Sequence, residues 1–344
     1  ILPLNYAKKV IDIILNDPNP IGIKDEKKMW ILNNGLILDF IGGDALMVPE
    51  LCDDILTYYI YKSMMMKHKW AGRWRASISS NGTFFNDEKV RKFLLKYNKN
   101  ISLGVSVDGC PEIHNSNRSN SMDEILNGWN WYQQYCSLND THPVTKSTCN
   151  KESIPYLYES VKFLHEILQL SYINMNFIFE EMNLTEIDYQ MLNNQLGKIT
   201  EYILNHHNDL YFSMLDKGFT IGKKMDNPEG SWCGAGSMPC LALNGKIYPC
   251  FRFLPTTMGD EKYDFNVGDI WSGINKEKFI EIQENNKRKV VSKPECLNCK
   301  IETTCSWCIG GAYSQNGKFW RGTSNCRINQ IRDKWARIYW NEYN

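Results

Sequence analysis

The chain lacks a surplus of charge, a long apolar run and an export signal. Its 344 residues carry 39 basic against 39 acidic side chains, so no net field favours nucleic acid or an anionic membrane. No stretch approaches the ~18 apolar residues of a membrane span, and no signal-peptide pattern opens the chain. Internal repeats and low-complexity tracts are also missing. Aromatic residues make up 12% of the chain, with Trp129, Trp131 and Tyr132 close together. Base stacking on nucleic acid would come with excess positive charge, so core packing accounts for most of them. These absences point to a cytoplasmic protein with neither nucleic acid nor membrane as a partner.

Cysteine is abundant, at 12 residues. In a long chain without an export signal, CxxC pairs favour metal ligation in a reducing compartment over disulfides. Eight form one spaced array: Cys233, Cys240 and Cys250, then Cys296, Cys299, Cys305 and Cys308, then a distant Cys326. Eight thiolates make two complete four-cysteine sites, the ligand count of a [4Fe–4S] cube or a structural zinc. Spacing alone leaves both metals open. Cys52, Cys110, Cys136 and Cys149 lack pair spacing and read mostly as buried, inert thiols. Cys110 follows a strand end and is also a candidate for a catalytic part.

Upstream of the array, short apolar strands bounded by turn residues alternate with amphipathic helices. Strands are expected at 36–41, 74–79, 101–107, 144–148 and 172–180, with helices at 6–15, 49–67, 87–97, 122–135, 154–168 and 185–206. Parallel neighbours need crossover connections, so this pattern specifies an α/β fold with a parallel sheet. It opens on a helix, and the natural completion is six units, with a first strand upstream of Ile1. The expected architecture is a partial (β/α)6 TIM-like barrel over 1–206, a connector at 207–232 and an irregular cysteine-rich domain over 233–344. A basic, aromatic helix at 327–343 closes the chain.

In parallel α/β folds, ligands collect where strands end. Here those ends carry Gly42-Gly43-Asp44, Ser80-Asn81-Gly82, Ser106-Val107-Asp108-Gly109 and Lys146-Ser147-Thr148. Glycines allow close backbone approach, and the small polar residues supply convergent hydrogen-bonding groups. With IGGDALM, SSNGT, SVDGCPEIHNSNR and TKSTCN followed by the cysteine array, the sequence resembles the radical S-adenosylmethionine enzymes that carry a C-terminal SPASM domain. The likeness runs from about residue 7 to 327. Asp44 stands where glutamate is commoner. The interval between Cys305 and Cys308 is two residues where the family usually has three.

The resemblance implies two auxiliary [4Fe–4S] clusters, one on Cys233, Cys240, Cys250 and Cys308, the other on Cys296, Cys299, Cys305 and Cys326. It further implies S-adenosylmethionine on a third [4Fe–4S] cluster held by a CxxxCxxC loop. No CxxxCxxC occurs in the 344 residues. That loop belongs just before the first helix, so it is expected upstream of Ile1. Gly42, Gly43 and Asp44 would meet the cofactor's amino group, with Ser80, Asn81, Ser106 and Asp108 around its ribose and the substrate. Arg118 and Lys146 are candidates for a carboxylate of the cofactor or of a peptide. Asp108, Cys110 and Lys146 are the candidates for catalysis.

Such enzymes mostly modify peptides, and an electron donor such as flavodoxin or ferredoxin is the expected partner. In relatives that mature sulfatases, an aspartate follows the cysteine matching Cys250 and serves as a base. Here Phe251 follows, and a phenyl ring takes no proton. The expected activity is therefore maturation of a ribosomally made precursor peptide, by thioether or other radical crosslinking at or near cysteine. Formylglycine formation and a non-catalytic peptide-binding relative are the alternatives. A zinc-stabilised scaffold is a further one.

Overall fold

A computed structural model describes residues 1–23, 30–205, 210–217, 233–259, 264–302, 305 and 307–343. Helix α1 (Leu4–Asn16) buries Ala7, Ile11, Ile14 and Leu15, spaced as one apolar stripe of a helix. The short α2 (Trp30–Asn34), which periodicity did not reveal, leads into strand β1 (Leu36–Phe40). There follow α3 (Pro49–Met65), β2 (Trp74–Ser80), α4 (Glu88–Lys96) and β3 (Ile101–Ser106). Pro49 opens α3, where a missing N–H costs nothing. Asp87 caps α4 by accepting from the Lys89 and Val90 amides.

Helices α5 (Pro111–Asn117) and α6 (Met122–Ser137) precede β4 (Thr145–Cys149). The helix expected at 154–168 is present with a changing pitch. A 3-10 turn at Ile154–Tyr156 runs into α7 (Leu157–Lys162), and π turns follow at Phe163–Ile167. Strand β5 (Tyr172–Phe177) and helix α8 (Glu186–Leu204) complete the alternation, α8 starting in a Thr185–Asp188 capping box.

All five expected strands form one parallel sheet in sequential order. A sixth, β6 (Tyr211–Phe212), pairs with β5 inside the segment expected to be a connector. The sheet of the described residues thus has six strands, with β6 at its far edge. Two residues are too few to show a period, which is why the sequence conceals it.

Strands laid down in sequence order with right-handed crossovers place their helices on one face. Burial agrees. Ala76 and Ile78, Leu103 and Val105, Thr145 and Cys149, and Ile173 and Met175 are buried on the helical side. The alternate residues line the open face: Asp39, Ser77 and Ser102 in one row, then Ser106, Lys146 and Asn174, then Thr148 and Asn176. One face is therefore core, and the other is a polar floor.

The cysteine-rich region holds little regular structure. Two two-residue hairpins, β7 (Cys240–Leu241) with β8 (Ile247–Tyr248) and β9 (Gly268–Asp269) with β10 (Gly273–Ile274), precede helices α9 (Lys276–Asn285) and α10 (Ile309–Asn316). Its core is small, built around Tyr248, Phe253, Met258, Trp307 and Ile309. Helix α11 (Cys326–Tyr343) then returns to the barrel. Trp335 donates to Asn193 Oδ1 at 3.1 Å, and Arg327 pairs with Glu186, fixing α11 along α8. No helix among the described residues is long and apolar enough to cross a membrane.

Candidate active site and cysteine centre

The strand ends converge on one rim. Gly42 and Gly43 follow β1 with open space where side chains would project, so their backbone is accessible to a ligand. Asp44 turns inward. Its Oδ1 accepts from the Leu46 amide at 2.9 Å, and Oδ2 accepts from Ser80 Oγ at 2.8 Å and the Asn81 amide at 2.5 Å. Ser80 is buried and also accepts from the Gly82 amide at 3.0 Å. Asn81 accepts from Thr83. The Gly-Gly-Asp and Ser-Asn-Gly motifs are thus one hydrogen-bonded unit across two strand ends.

Asp108 and Arg118 form a second unit. Arg118 grips the carboxylate with two N–H groups, at 2.8 and 2.9 Å, and the Thr148 amide donates to Oδ1 at 3.0 Å. Asp108 is 3% exposed, so this pairing satisfies a charge that water cannot reach. His114, fully buried, accepts from the Asp108 amide at 3.3 Å and meets Ser121 Oγ at 3.0 Å. Burial lowers the pKa of His114, so the ring is neutral at physiological pH. Sequence reasoning passed over His114, though it lies inside the SVDGCPEIHNSNR motif.

Cys110 is buried beside Ser160, whose Oγ accepts from the Cys110 amide at 3.2 Å. Burial pushes the Cys110 thiol pKa up, so the group is a poor nucleophile at neutral pH. Gly109 sits at φ +147°, and a Cβ there would lie 2.2 Å from Ser160 Oγ, so only glycine fits this approach. Lys146 projects onto the open face and donates to Ser79 Oγ, two strands away. It crosses β3 at Gly104, where an added Cβ would stand 3.4 Å from Lys146 Cε. Ser106 faces the same side in register with Lys146.

The eight array cysteines sort into two electrostatic neighbourhoods. Burial pushes the Cys250 thiol up to about 12, and Cys308, Cys233 and Cys240 add to the shift. Burial raises Cys326 too, with Cys305, Cys296 and Cys299 contributing. N–H donors approach the sulfurs: Asn286 Nδ2 lies 3.5 Å from Cys233 Sγ, Asn329 Nδ2 donates to Cys305 at 3.4 Å, and the Gly311 amide donates to Cys308 at 3.4 Å. Two sets of four soft donors with N–H groups aimed at them suit thiolate-bound metal. Among the described residues, no three His, Cys, Asp or Glu side chains converge closely enough to hold a metal ion. The thiols are neighbours, not a closed ligand cage.

The array and the rim meet. Burial raises the Cys240 thiol to about 11, and the second contributor is Asp39 on the open face. At the other side of the sheet, Arg252 bonds Glu180 Oε1 at 2.7 Å, Gln315 donates to the Phe179 carbonyl at 2.9 Å and Asn325 to the Ile178 carbonyl at 2.9 Å. Arg252, Glu180, Asp39, Asn286 and Asn329 went unread in the sequence. Only Arg252 carried a signal, standing two residues after an array cysteine.

No protein-family model and no curated protein sequence matches the chain. Solved structures do. Native anSMEcpe with bound AdoMet superposes over 100% of this chain and 90% of its own, with TM-score 0.70 and 18% identity. Polyhistidine-tagged anSMEcpe with bound AdoMet gives TM-score 0.71 at 19% identity, covering 100% and 87%. Native anSMEcpe with AdoMet and the Kp18Cys peptide gives 0.69 at 18%, covering 100% and 91%. From the first strand to the closing helix, then, this chain has the fold of anSMEcpe.

Proposed function

We propose that the chain is a radical S-adenosylmethionine enzyme that matures a ribosomally made precursor peptide by thioether or other radical crosslinking at or near cysteine. The carrying observation is the sorting of eight cysteines into two sets of four, on a fold shared with AdoMet- and peptide-bound structures. Residues 1–206 are the radical domain, with β6 lent by the 207–232 connector, and 233–344 form the auxiliary-cluster domain. Cys233, Cys240, Cys250 and Cys308 would hold one [4Fe–4S] cluster, and Cys296, Cys299, Cys305 and Cys326 the other. When bound, S-adenosylmethionine on its own cluster supplies a hydrogen-abstracting radical, fed by a flavodoxin- or ferredoxin-like donor.

The chain's residues position and insulate. Gly42 and Gly43 leave backbone open for the cofactor's amino group, beside an Asp44 carboxylate fixed by Ser80 and Asn81. Asp108 and Arg118 tie the third strand end to the fourth, and Ser106 and Lys146 present polar groups to the open floor. Cys110 keeps its proton at neutral pH. Phe251, beside Cys250, offers no base.

A second reading, formylglycine formation, is favoured by the neighbours' identity as anSMEcpe bound to the Kp18Cys and Cp18Cys peptides. One assay separates them. The enzyme is reconstituted anaerobically with iron, sulfide, S-adenosylmethionine and dithionite, then given its genomically adjacent precursor peptide or a cysteine-containing sulfatase peptide. Loss of two hydrogens with sulfur retained supports crosslinking. Exchange of thiol sulfur for aldehyde oxygen moves the assignment to formylglycine. Deoxyadenosine released with both peptides at unchanged mass overturns both, and zinc in place of iron leaves a scaffold.

A further inference from the structure

Arg252 stands between the first cysteine set and the sheet. It follows Cys250 by two residues, and its Nη2 pairs with Glu180 at 2.7 Å. A Cβ on Gly311 would lie 3.4 Å from Arg252 Nη2 and 3.5 Å from Cys308 Cβ, so the guanidinium and the Cys308 side chain border the same residue of α10. Gly310 packs more tightly on Arg252, with a Cβ position 3.1 Å from its carbonyl oxygen. Arg252 Nε is buried with no hydrogen-bond partner among the described residues. A buried N–H left without an acceptor is destabilising, and a sulfur of a cluster on these cysteines would be an acceptor of suitable kind.

We infer that Arg252 is a positioning residue that sets the reduction potential of the metal centre on Cys233, Cys240, Cys250 and Cys308, with Glu180 moderating its charge. The inference rests on the iron–sulfur reading above. Adding an electron makes a cluster more negative, so a fixed cation beside a ligand sulfur stabilises the reduced form and an anion opposes it. Glu180 follows β5 at the rim, so the same ion pair ties the potential of this centre to the place where substrate would lie.

The test is a dithionite titration of the reconstituted protein, one electron per cluster, followed by electron paramagnetic resonance. Arg252→Gln is expected to cut the reduced-to-oxidised ratio of one auxiliary signal about tenfold at fixed potential, about 59 mV for a one-electron couple. The other auxiliary signal and the iron content stay unchanged. Arg252→Lys restores most of the shift, which a merely structural role would not do. Glu180→Gln, at an exposed carboxylate, moves the ratio the opposite way and serves should Arg252→Gln fail to assemble. Intact clusters with unmoved potentials in both Arg252→Gln and Glu180→Gln overturn this inference and leave the parent reading standing. Wild-type protein that binds no iron overturns both.

Discussion

Arg118 has two ways to serve a site at this rim: facing a ligand carboxylate or holding the protein's own. The structure gives it the second task, since both of its bonding N–H groups close on buried Asp108. Removing one partner of a buried pair leaves an uncompensated charge. Arg118→Met is therefore expected to cost about 3 kcal/mol in a urea melt, and Arg118→Lys less, because a point charge replaces the fork. A carboxylate-binding role alone would leave the melt unmoved. The pairing was not legible in the sequence: nothing in SVDGCPEIHNSNR says that the arginine folds back over the turn of α5. The cysteine array was legible as an array, because spacing shows in a sequence as pairing across a turn does not.

Burial pushes the Cys52 thiol from 9.0 up to about 12. The sign follows from proton counting. Above pH 9 the unfolded chain gives up this proton while the native state keeps it, so stability falls as pH rises from 9 towards 12. The slope from this one group approaches roughly 1 kcal/mol per pH unit. Cys52→Ala is expected to flatten that limb of a stability-against-pH curve measured by denaturant melts, while losing some stability at pH 7 through the smaller side chain. A limb of unchanged slope would place the thiol in water. The same reasoning assigns Cys110, Cys136 and Cys149, all raised by burial, to the last thiols alkylated in native protein.

At the scale of elements, the legible parts were those with a period. Strands at 36–40, 74–80, 101–106, 145–149 and 172–177 lie where short apolar runs were bounded by turn residues. Helix α8 begins at its Thr185 cap, and Thr185→Ala is expected to cost about 1 kcal/mol with metal content unaffected. Illegible were β6, too short for a pattern, and the change of pitch after Lys162, which leaves no mark on an apolar stripe. Contact between α8 and α11 was equally hidden, although Gly197 decides it. A Cβ at Gly197 would lie 3.0 Å from the Trp335 indole, whose Nε1 is pinned to Asn193. Gly197→Leu should therefore overpack the interface by about 1–3 kcal/mol and displace α11. Cys326 is the first residue of α11, so under the proposed ligand set the displacement should also lower iron bound per chain.

For the whole molecule, the two halves differ in what holds them. The barrel has a continuous apolar core spanning its sheet and helices, whereas the cysteine-rich region has two-residue strands and a small core of its own, plus Ile247, Val267 and Phe279 packed in a cluster shared with α1 and α3. So small a core carries little folding free energy, and the metal ligation proposed above would supply the remainder. Stripping the metal anaerobically should then loosen residues 233–325 while the six-stranded sheet stays folded. Helix α11 belongs with the barrel in this respect, because its tryptophans bond Asn193 and the Leu215 carbonyl. Limited proteolysis with mass mapping separates the cases. Cuts confined to 233–325 in stripped protein, absent when it is reloaded, locate the metal's structural work. Cuts spread through the barrel as well would mean that Arg252, Gln315 and Asn325, which clasp the rim at Ile178 to Glu180, transmit the loss into the sheet. The first outcome is expected, since those three contacts are surface bonds on a strand end whose buried residues, Ile173, Met175 and Phe177, stay packed without them.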